Sequence, residues 1–260
     1  MTTSPVLYDA RDGVAWITLN RPGVLNALDT AVAAALADHV ETAAADERVA
    51  LVGVRGAGRA FCSGMDRTAL AQGTVGEPFF RHWIRALNRL EDMPKIVIAM
   101  LHGHAIGGGL QLALACDLRV ATDDAVIGLG ATRHGLIPDG AVLRLARIVG
   151  LGRAKELALL NDDVSAAEAR AMGLVNWVCP PHEVEATLER VLVKARAAAP
   201  TAAAHTKRLL HESFHADPRA MIEEVVRAQH DCLASWEIDE ANRAWQDRRE
   251  AVFYPPPRRA

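Results

Sequence analysis

The sequence predicts an α/β fold, and three observations lead to it. A chain of 260 residues, half of them hydrophobic, is long enough to bury the core of one large domain. Ile96–Leu101 is a short apolar run rich in β-branched residues, which is typical of a buried strand. Similar runs alternate with helical patterns along most of the chain, and this alternation indicates α/β crossovers.

The first half begins with a predicted hairpin, because Asp12-Gly13 between two apolar runs is a strong turn signal. Asp29 or Thr30 is expected to cap the first helix, whose apolar positions repeat every three to four residues. The expected strands in this half are Val6–Asp9, Val14–Leu19, Val49–Val54 and Ile96–Leu101, and the expected helices are Ala31–Ala45 and Phe79–Glu91.

Three consecutive glycines, Gly107, Gly108 and Gly109, follow the Ile96–Leu101 strand and open a helix that is apolar nearly all round. Such a turn leaves backbone N–H groups unpaired at the positive end of a helix dipole, where an anion or a developing oxyanion can bind. Tight packing of the strand against the helix is the alternative. The dinucleotide fingerprint and the P-loop do not fit this spacing, so a nucleotide phosphate is not expected here.

In the second half, Pro138-Asp139-Gly140 is expected to open a helix to about Val149, and Ser165 with Glu168 forms a capping box. The composition changes near Ala198–Pro200 to helices only. We therefore divide the chain into a core, 1–197, and a C-terminal helical region, 198–260, expected to mediate oligomerisation. The other predicted strands are Leu118–Ala121, Ala125–Ile127 and Val175–Val178, and the other helices are Arg153–Leu160, Val184–Ala199, Thr201–Phe214, Pro218–Ile238 and Glu240–Phe253.

Composition excludes several classes of function. A net charge of −3 without a basic stripe argues against nucleic acid as a partner. No apolar run approaches the roughly 18 residues of a membrane span, so no membrane association is expected. The four cysteines are widely spaced, as in a cytoplasmic protein with reduced thiols. His102 and His104 have no acidic neighbour, and no metal site is predicted.

Several short segments, taken together and in their order along the chain, form a set of sequence motifs. They are Leu19-Asn20-Arg21-Pro22 with Leu25-Asn26-Ala27-Leu28, Ala60-Phe61-Cys62-Ser63-Gly64-Met65-Asp66, Gly103–Gly109 with Cys116-Asp117-Leu118-Arg119, His134–Pro138, Ala167–Val175 and Arg243–Phe253. Over nearly its whole length the chain resembles the enoyl-CoA hydratase/isomerase (crotonase) superfamily. The resemblance implies a spiral of ββα units with a helical C-terminal trimerisation region, assembled as a trimer or a dimer of trimers.

The resemblance also implies the ligand and its site. The ligand is an acyl-CoA thioester, with coenzyme A as part of the substrate and no separate cofactor. The amides of Met65 and Gly108 would form an oxyanion hole for the thioester carbonyl. The coenzyme A arm would lie against the residues Leu25, Ala27, Ala60, Cys62, Asp66 and Gly107.

The sequence departs from the family pattern where hydratases carry two glutamates. Aligning the glycines places Gln111 and Ala131 at those positions, and neither side chain can titrate. Asp139 occupies the place of a catalytic aspartate in dienoyl-CoA isomerases, although it can equally be a helix cap. His134, in the same loop, is either a surface histidine or a proton carrier.

Two hypotheses about function follow from these departures. The first is an acyl-CoA enzyme that stabilises a thioester enolate and moves one proton, with Asp139 as the base. Isomerisation of a double bond needs only one base, so it fits the missing glutamates better than hydration does. The second is a non-catalytic acyl-CoA-binding protein.

Overall fold

Strands and helices alternate along residues 4–255, the part of the chain that this computed structural model describes. The strands are β1 Val6–Arg11, β2 Val14–Leu19, β3 Leu51–Gly56, β4 Ile96–Leu101, β5 His104–Ile106, β6 Leu118–Thr122, β7 Val126–Gly128, β8 Val164–Ser165 and β9 Trp177–Cys179. The helices are α1 Thr30–Ala45, α2 Arg67–Ala71, α3 Glu77–Asp92, α4 Gly108–Leu114, α5 Leu145–Leu160, α6 Ala166–Ala171, α7 Val184–Arg196, α8 Pro200–Glu212, α9 Pro218–Leu233 and α10 Trp236–Gln246.

A mixed sheet in the order β1-β2-β3-β4-β6-β9 forms the centre of the described chain. β1 and β2 are antiparallel across the predicted Asp12-Gly13 turn, and the remaining neighbours are parallel. A second, smaller sheet consists of β5, β7 and β8. The sequence does not indicate β5 or β8, which are three and two residues long. The α/β class and the C-terminal helices are confirmed.

The two faces of the central sheet pack against different helices. Along β2, Ala15 and Ile17 point into the main core, which α1, α3 and α4 cover. Val14 and Trp16 point to the opposite face, where α7 packs. This alternation follows from the two-residue period of a strand. Every residue of α4 from Gly109 to Leu114 is buried, so the predicted buried helix is confirmed.

The helix predicted from Asp139 begins instead at Leu145, and residues 139–144 form hydrogen-bonded turns. The N–H of Gly140 donates to the side-chain oxygen of Gln111 at 2.7 Å, a bond to another element of the fold. The amides of the next two residues both donate to the Pro138 carbonyl oxygen. Asp139 therefore does not cap α5, and the prediction of a helix cap at this position is wrong.

The C-terminal helices are shorter than predicted. α9 ends at Leu233, since the Ser235 hydroxyl donates to the Cys232 carbonyl oxygen and α10 begins directly afterwards. After α10 the chain turns back, because Glu240 accepts hydrogen bonds from the Arg249 side chain and the Val252 amide. A continuous helix to Phe253 would break both contacts.

α8 is attached to the core by a half-buried lysine. Lys207 Nζ donates to Asp117 Oδ2 at 2.9 Å and to the carbonyl oxygens of Leu90 and Lys95 at 3.0 and 3.1 Å. Asp117 follows α4 and also accepts from the Val97 amide. The first helix of the C-terminal region is thus bound to the segment that ends the buried helix.

Candidate active site

The segment of residues 60–66 lies between the Leu25–Leu28 loop and β5. The Leu28 amide donates to the Gly64 carbonyl and the Asp66 amide to the Leu28 carbonyl, both at 2.8 Å. On the other side, Cys62 exchanges backbone hydrogen bonds with residues 104 and 106 of β5. The Met65 amide takes part in none of these bonds and has no acceptor among the described residues.

Asn26 fixes the Leu25–Leu28 loop from inside. It is buried, has a φ of 56°, and its Nδ2 donates to the carbonyl oxygens of Ala57, Ala60 and Phe61 at 2.9, 2.8 and 3.2 Å. A positive φ is accessible to asparagine at lower cost than to most other residues. The loop backbone is therefore set before any ligand binds.

Arg21 joins the same loop to Asp66. Its Nη1 donates to the Ala27 carbonyl at 2.7 Å and lies 3.1 Å from Asp29 Oδ2, while Nη2 lies 3.2 Å from Asp66 Oδ2. Asp66 also caps α2 through the amides of residues 68 and 69. Burial raises the pKa of Asp66, but these amides and the guanidinium outweigh it, so the pKa is lowered.

The glycine turn brings a second backbone amide to the Met65 segment. Gly107 has a φ of 56° and ψ of −118°, and Gly108 is the first residue of α4. The Gly108 N–H has no acceptor among the described residues, as expected for the first turn of a helix. A Cβ placed on Gly64 would lie 3.4 Å from the Gly108 nitrogen and 2.9 Å from the Ile106 oxygen. The two segments are therefore in direct contact.

Gln111 lies one helical turn further along α4 and is buried. Its Oε1 accepts from the Gly140 amide at 2.7 Å and from Trp83 Nε1 of α3 at 3.4 Å. A Cβ on Gly140 would come within 2.7 Å of that oxygen and 2.5 Å of Leu87 Cδ1. This position therefore needs glycine for the close approach of the turn to α4.

Asp139 precedes Gly140 and is half-buried. Its Oδ2 is buried and has no hydrogen-bond partner in the described part of the chain. Burial, the largest influence, raises the pKa of Asp139 above its ordinary value. The amides of Gly140 and Asp139, the Gln111 side chain and the Arg144 charge oppose this increase without cancelling it.

Arg144 holds the other side of the same turn. Its side chain is almost completely buried, and Nη1 donates to the Gly140 carbonyl at 3.0 Å. Nη2 donates to Asn88 Oδ1 at 2.8 Å and pairs with Glu91 at 2.5 Å, so both partners belong to α3. The N–H and the C=O of Gly140 are thus both bound by side chains, the N–H by Gln111 and the C=O by Arg144.

His134 lies in a short 3₁₀ turn, Thr132–His134, and is exposed. Its ring nitrogens lie 3.0 and 3.4 Å from Nη1 of Arg67, the first residue of α2. Ala131 precedes this turn and is half-buried. Within residues 4–255 His134 has no hydrogen bond to Asp139 or Gln111, so its geometry agrees with a surface histidine.

Comparison with known proteins gives the family. The enoyl-CoA hydratase/isomerase family model matches residues 9–255. The chain belongs to this family. It is 34% identical over 245 residues to a Bacillus subtilis protein provisionally named as an enoyl-CoA hydratase/isomerase, covering 92% of this chain and 94% of that protein. It is 30% identical over 261 residues to a short-chain-enoyl-CoA hydratase of Clostridium acetobutylicum, covering 96% and 97% of the two chains.

Solved structures agree with the family assignment. The crystal structure of an enoyl-CoA hydratase from Mycobacterium smegmatis matches with a TM-score of 0.87 and 30% identity, over 96% of this chain and 99% of that one. The predicted crotonase-like fold is confirmed. Among the described residues, no helix is both long and apolar enough to cross a membrane.

The fold of this enoyl-CoA hydratase/isomerase family member brings most of the predicted site residues to one region. The residues linked there, by their own contacts or through the next residue in the chain, are Leu25, Ala27, Ala60, Cys62, Met65, Asp66, Gly107, Gly108, Gln111 and Asp139. The Cys62 thiol is completely buried, and this burial raises its pKa to about 12. Because the thiolate is the reactive form, we expect this thiol to be unreactive. His134 is exposed, and its contact is with Arg67, the residue after Asp66.

Sequence reasoning missed Trp83, Gly140 and Arg144. All three act through bonds between α3, α4 and the 139–144 turn, and no local pattern reports such bonds. It also missed a cavity of about 810 Å³ between the core and α8, lined by residues that include Cys116, Asp117, Arg119, Lys207 and Phe214. This cavity is also lined by Arg144 but by none of the residues that the sequence predicted for the site, so the backbone geometry, and not cavity size, identifies the candidate site.

Proposed function

We propose that this chain binds an acyl-CoA thioester with the carbonyl oxygen between the amides of Met65 and Gly108. Two neighbouring N–H groups without acceptors in the described structure support this assignment. Donors aimed at an oxygen that gains negative charge during the reaction stabilise the enolate more than the starting thioester. The family relatives named as enoyl-CoA hydratases support the substrate class.

Asp139 is the base in this proposal, and the observation that carries it is its buried Oδ2, which has no hydrogen-bond partner within residues 4–255. Gln111, which contacts the Asp139-Gly140 turn, is three residues from Gly108 on α4, a rise of about 4.5 Å. In this proposal, the α-carbon of a thioester held at Gly108 lies near the Asp139 carboxylate. The raised pKa brings this carboxyl closer to the working range of a general base.

The chemistry is transfer of a single proton. Asp139 takes a proton from carbon 2 of a 3-enoyl-CoA, and the electron pair moves onto the thioester oxygen as an enolate. Returning the proton to carbon 4 gives the conjugated 2-enoyl-CoA and restores the carboxylate. No second acid is required, which agrees with Gln111 and Ala131 at the positions where the resemblance implies glutamates.

The test is to incubate the purified protein with a 3-enoyl-CoA in D₂O. We expect formation of the conjugated 2-enoyl-CoA, followed by its ultraviolet absorbance, and incorporation of deuterium, followed by mass spectrometry. A dienoyl-CoA tested in parallel would reveal a preference for longer conjugated chains. Absence of both isomerisation and deuterium incorporation with every substrate would contradict the proposal.

The oxyanion assignment predicts a large effect of Gly108→Pro, which deletes one amide donor. Removing a donor of this kind typically lowers the rate about 100- to 1000-fold. The control is Gly108→Ala, because both substitutions place a Cβ 2.4 Å from Leu28 Cδ1 and only proline removes the N–H. Both are made in a Leu28→Ala background to relieve this contact. Equal turnover and acyl-CoA affinity in the two variants would refute the assignment.

A non-catalytic acyl-CoA-binding protein is the second candidate, and the same two positions, Gln111 and Ala131, favour it. It shares the two amide donors and the fixed Leu25–Leu28 loop with the first candidate. It differs in one result: calorimetry would show acyl-CoA binding, while the D₂O experiment would show neither isomerisation nor exchange.

We propose that the chain assembles as a trimer or a dimer of trimers. The C-terminal region exposes large apolar side chains on the single chain, among them Ile222, Val226, Trp245 and Val252, with Trp245 81% exposed. Such side chains favour burial against another copy. Sedimentation at micromolar concentration should show a trimer or hexamer, and Trp245→Glu should weaken it. A wild-type protein that is entirely monomeric would contradict this expectation.

A further inference from the structure

One face of α3 lies directly against the proposed site. Trp83 and Leu87 share this face, because residues four apart in a helix lie one above the other. A Cβ placed on Gly108 would lie 3.5 Å from Trp83 Cζ2, and a Cβ placed on Gly140 would lie 2.5 Å from Leu87 Cδ1. The same face of α3 therefore contacts both the residue that carries the proposed oxyanion donor and the residue that follows Asp139.

Trp83 is fixed in this place from two sides. Its indole Nε1 donates to Gln111 Oε1 at 3.4 Å, and its ring is stacked on that of Phe79, with 6.1 Å between the centroids and 16° between the planes. The Trp83 side chain is 1% exposed. Leu28 packs beside it, since Leu28 Cδ1 would lie 2.4 Å from the Cβ placed on Gly108. The indole cannot move aside without losing both its hydrogen bond and its stacking.

The space beside the two glycines is thus filled by protein side chains. A glycine often allows a ligand to approach the backbone closely. At Gly108 and Gly140 the space that a side chain would occupy is taken instead by Leu28, Trp83 and Leu87, all of which are buried. We propose that Trp83 and Leu87 limit the length of the acyl chain, so that the site takes short acyl groups such as butyryl or crotonyl. This inference rests on the proposed function and adds the class of acyl group to it.

Close packing gives the expected size of the effect. Forcing additional methylene groups into a packed region displaces side chains, which should weaken binding roughly 5- to 100-fold. Removing the Trp83 indole reverses this effect, because an apolar cavity on the order of 150 Å³ stays dry and accepts an apolar group. Each methylene group buried in such a cavity should then tighten binding about fourfold.

The test is calorimetric titration of the purified protein with butyryl-, hexanoyl- and octanoyl-CoA, which are saturated and bind without reacting. We expect the wild type to bind butyryl-CoA most tightly and the longer thioesters roughly 5- to 100-fold more weakly. Trp83→Ala should reverse this order and bind hexanoyl-CoA about 10-fold more tightly than butyryl-CoA. Leu87→Ala should change the order in the same direction by a smaller factor, and it keeps the test decisive if Trp83→Ala does not fold.

Two further variants separate the size of the indole from other effects. Trp177→Ala is the control, because Trp177 of β9 packs with the cluster on the opposite face of the central sheet, and it should keep the wild-type order. Trp83→Phe keeps an aromatic ring beside Phe79 but removes the Nε1–H group, so its order should stay close to that of the wild type. If Trp83→Phe shows the order expected for Trp83→Ala, the hydrogen bond to Gln111 and not ring size sets the preference, and the proposal is wrong.

A wild-type protein that binds octanoyl-CoA as tightly as butyryl-CoA would overturn the proposal, because the chain would then extend past α3 by another route. A preference for butyryl-CoA that persists in both Trp83→Ala and Leu87→Ala would overturn it as well. If none of the three thioesters binds, both this inference and the proposed function fail. Binding without dependence on chain length refutes only this inference.

Discussion

The wild-type protein is expected to hydrate crotonyl-CoA far more slowly than an enzyme with two catalytic glutamates. General acid–base assistance is worth about 100- to 10,000-fold per group, and Gln111 and Ala131 supply neither group. If the two groups act as one unit, the hydration rate is lower by about this factor. If they act independently, the decrease in rate is larger. The decrease in absorbance of the conjugated thioester measures the rate. Hydration at about 10 per second or more would refute the argument from the missing glutamates.

Restoring the glutamates gives the complementary result. Gln111→Glu with Ala131→Glu should raise hydration only modestly, because the carboxylate introduced at position 111 would lie close to that of Asp139. Adding Asp139→Asn removes that like charge and should raise hydration further. Asp162→Asn, at an exposed position, serves as the control for the loss of one negative charge. If the double and triple variants hydrate equally, Asp139 does not share a site with position 111.

Asp139→Asn in the wild-type background is expected to reduce isomerisation and deuterium incorporation about 100- to 10,000-fold, the usual contribution of a general base. The substitution preserves shape while removing the titratable acid. Single-turnover assays with a 3-enoyl-CoA in D₂O measure it, again with Asp162→Asn as the control. A rate equal to the wild type in a stably folded Asp139→Asn protein would exclude Asp139 as the base.

The pH dependence follows from the direction of the Asp139 pKa. A base acts in its ionised form, so the rate should fall as pH decreases through this pKa, which burial places above the ordinary value of about 3.9. Because the folded-state pKa is raised, its favourable contribution to stability is complete below the unfolded pKa and is lost as pH rises through the folded pKa. Asp139→Asn should therefore not lower the melting temperature at neutral pH, which separates loss of activity from loss of fold.

The sequence was a good guide wherever one segment determines the structure. The β1–β2 hairpin follows from Asp12-Gly13, and α1 begins at its predicted cap, Asp29. The glycine turn and buried α4 are also confirmed. The positive φ of Asn26 could have been predicted, since asparagine adopts this conformation more often than most other residues.

The prediction failed where a bond between distant elements decides. The helix expected from Asp139 is replaced by turns, and in these turns the Gly140 amide bonds to Gln111, 29 residues earlier. The binding of Arg144 to both Gly140 and α3 has no local signature either. The chemical roles of these residues remain predictions, because they depend on where a substrate binds.

The attachment of the 139–144 turn has a consequence for how this protein can evolve. Gln111 and Arg144 hold the turn by the N–H and C=O of Gly140, and backbone groups are the same whatever side chain stands beside them. A mutation at codon 139 can therefore exchange the reactive group without dismantling its support. Within such a scaffold, a lineage could acquire or lose an acid in a single step, and new reactions could arise while the thioester-binding backbone stays under unchanged selection.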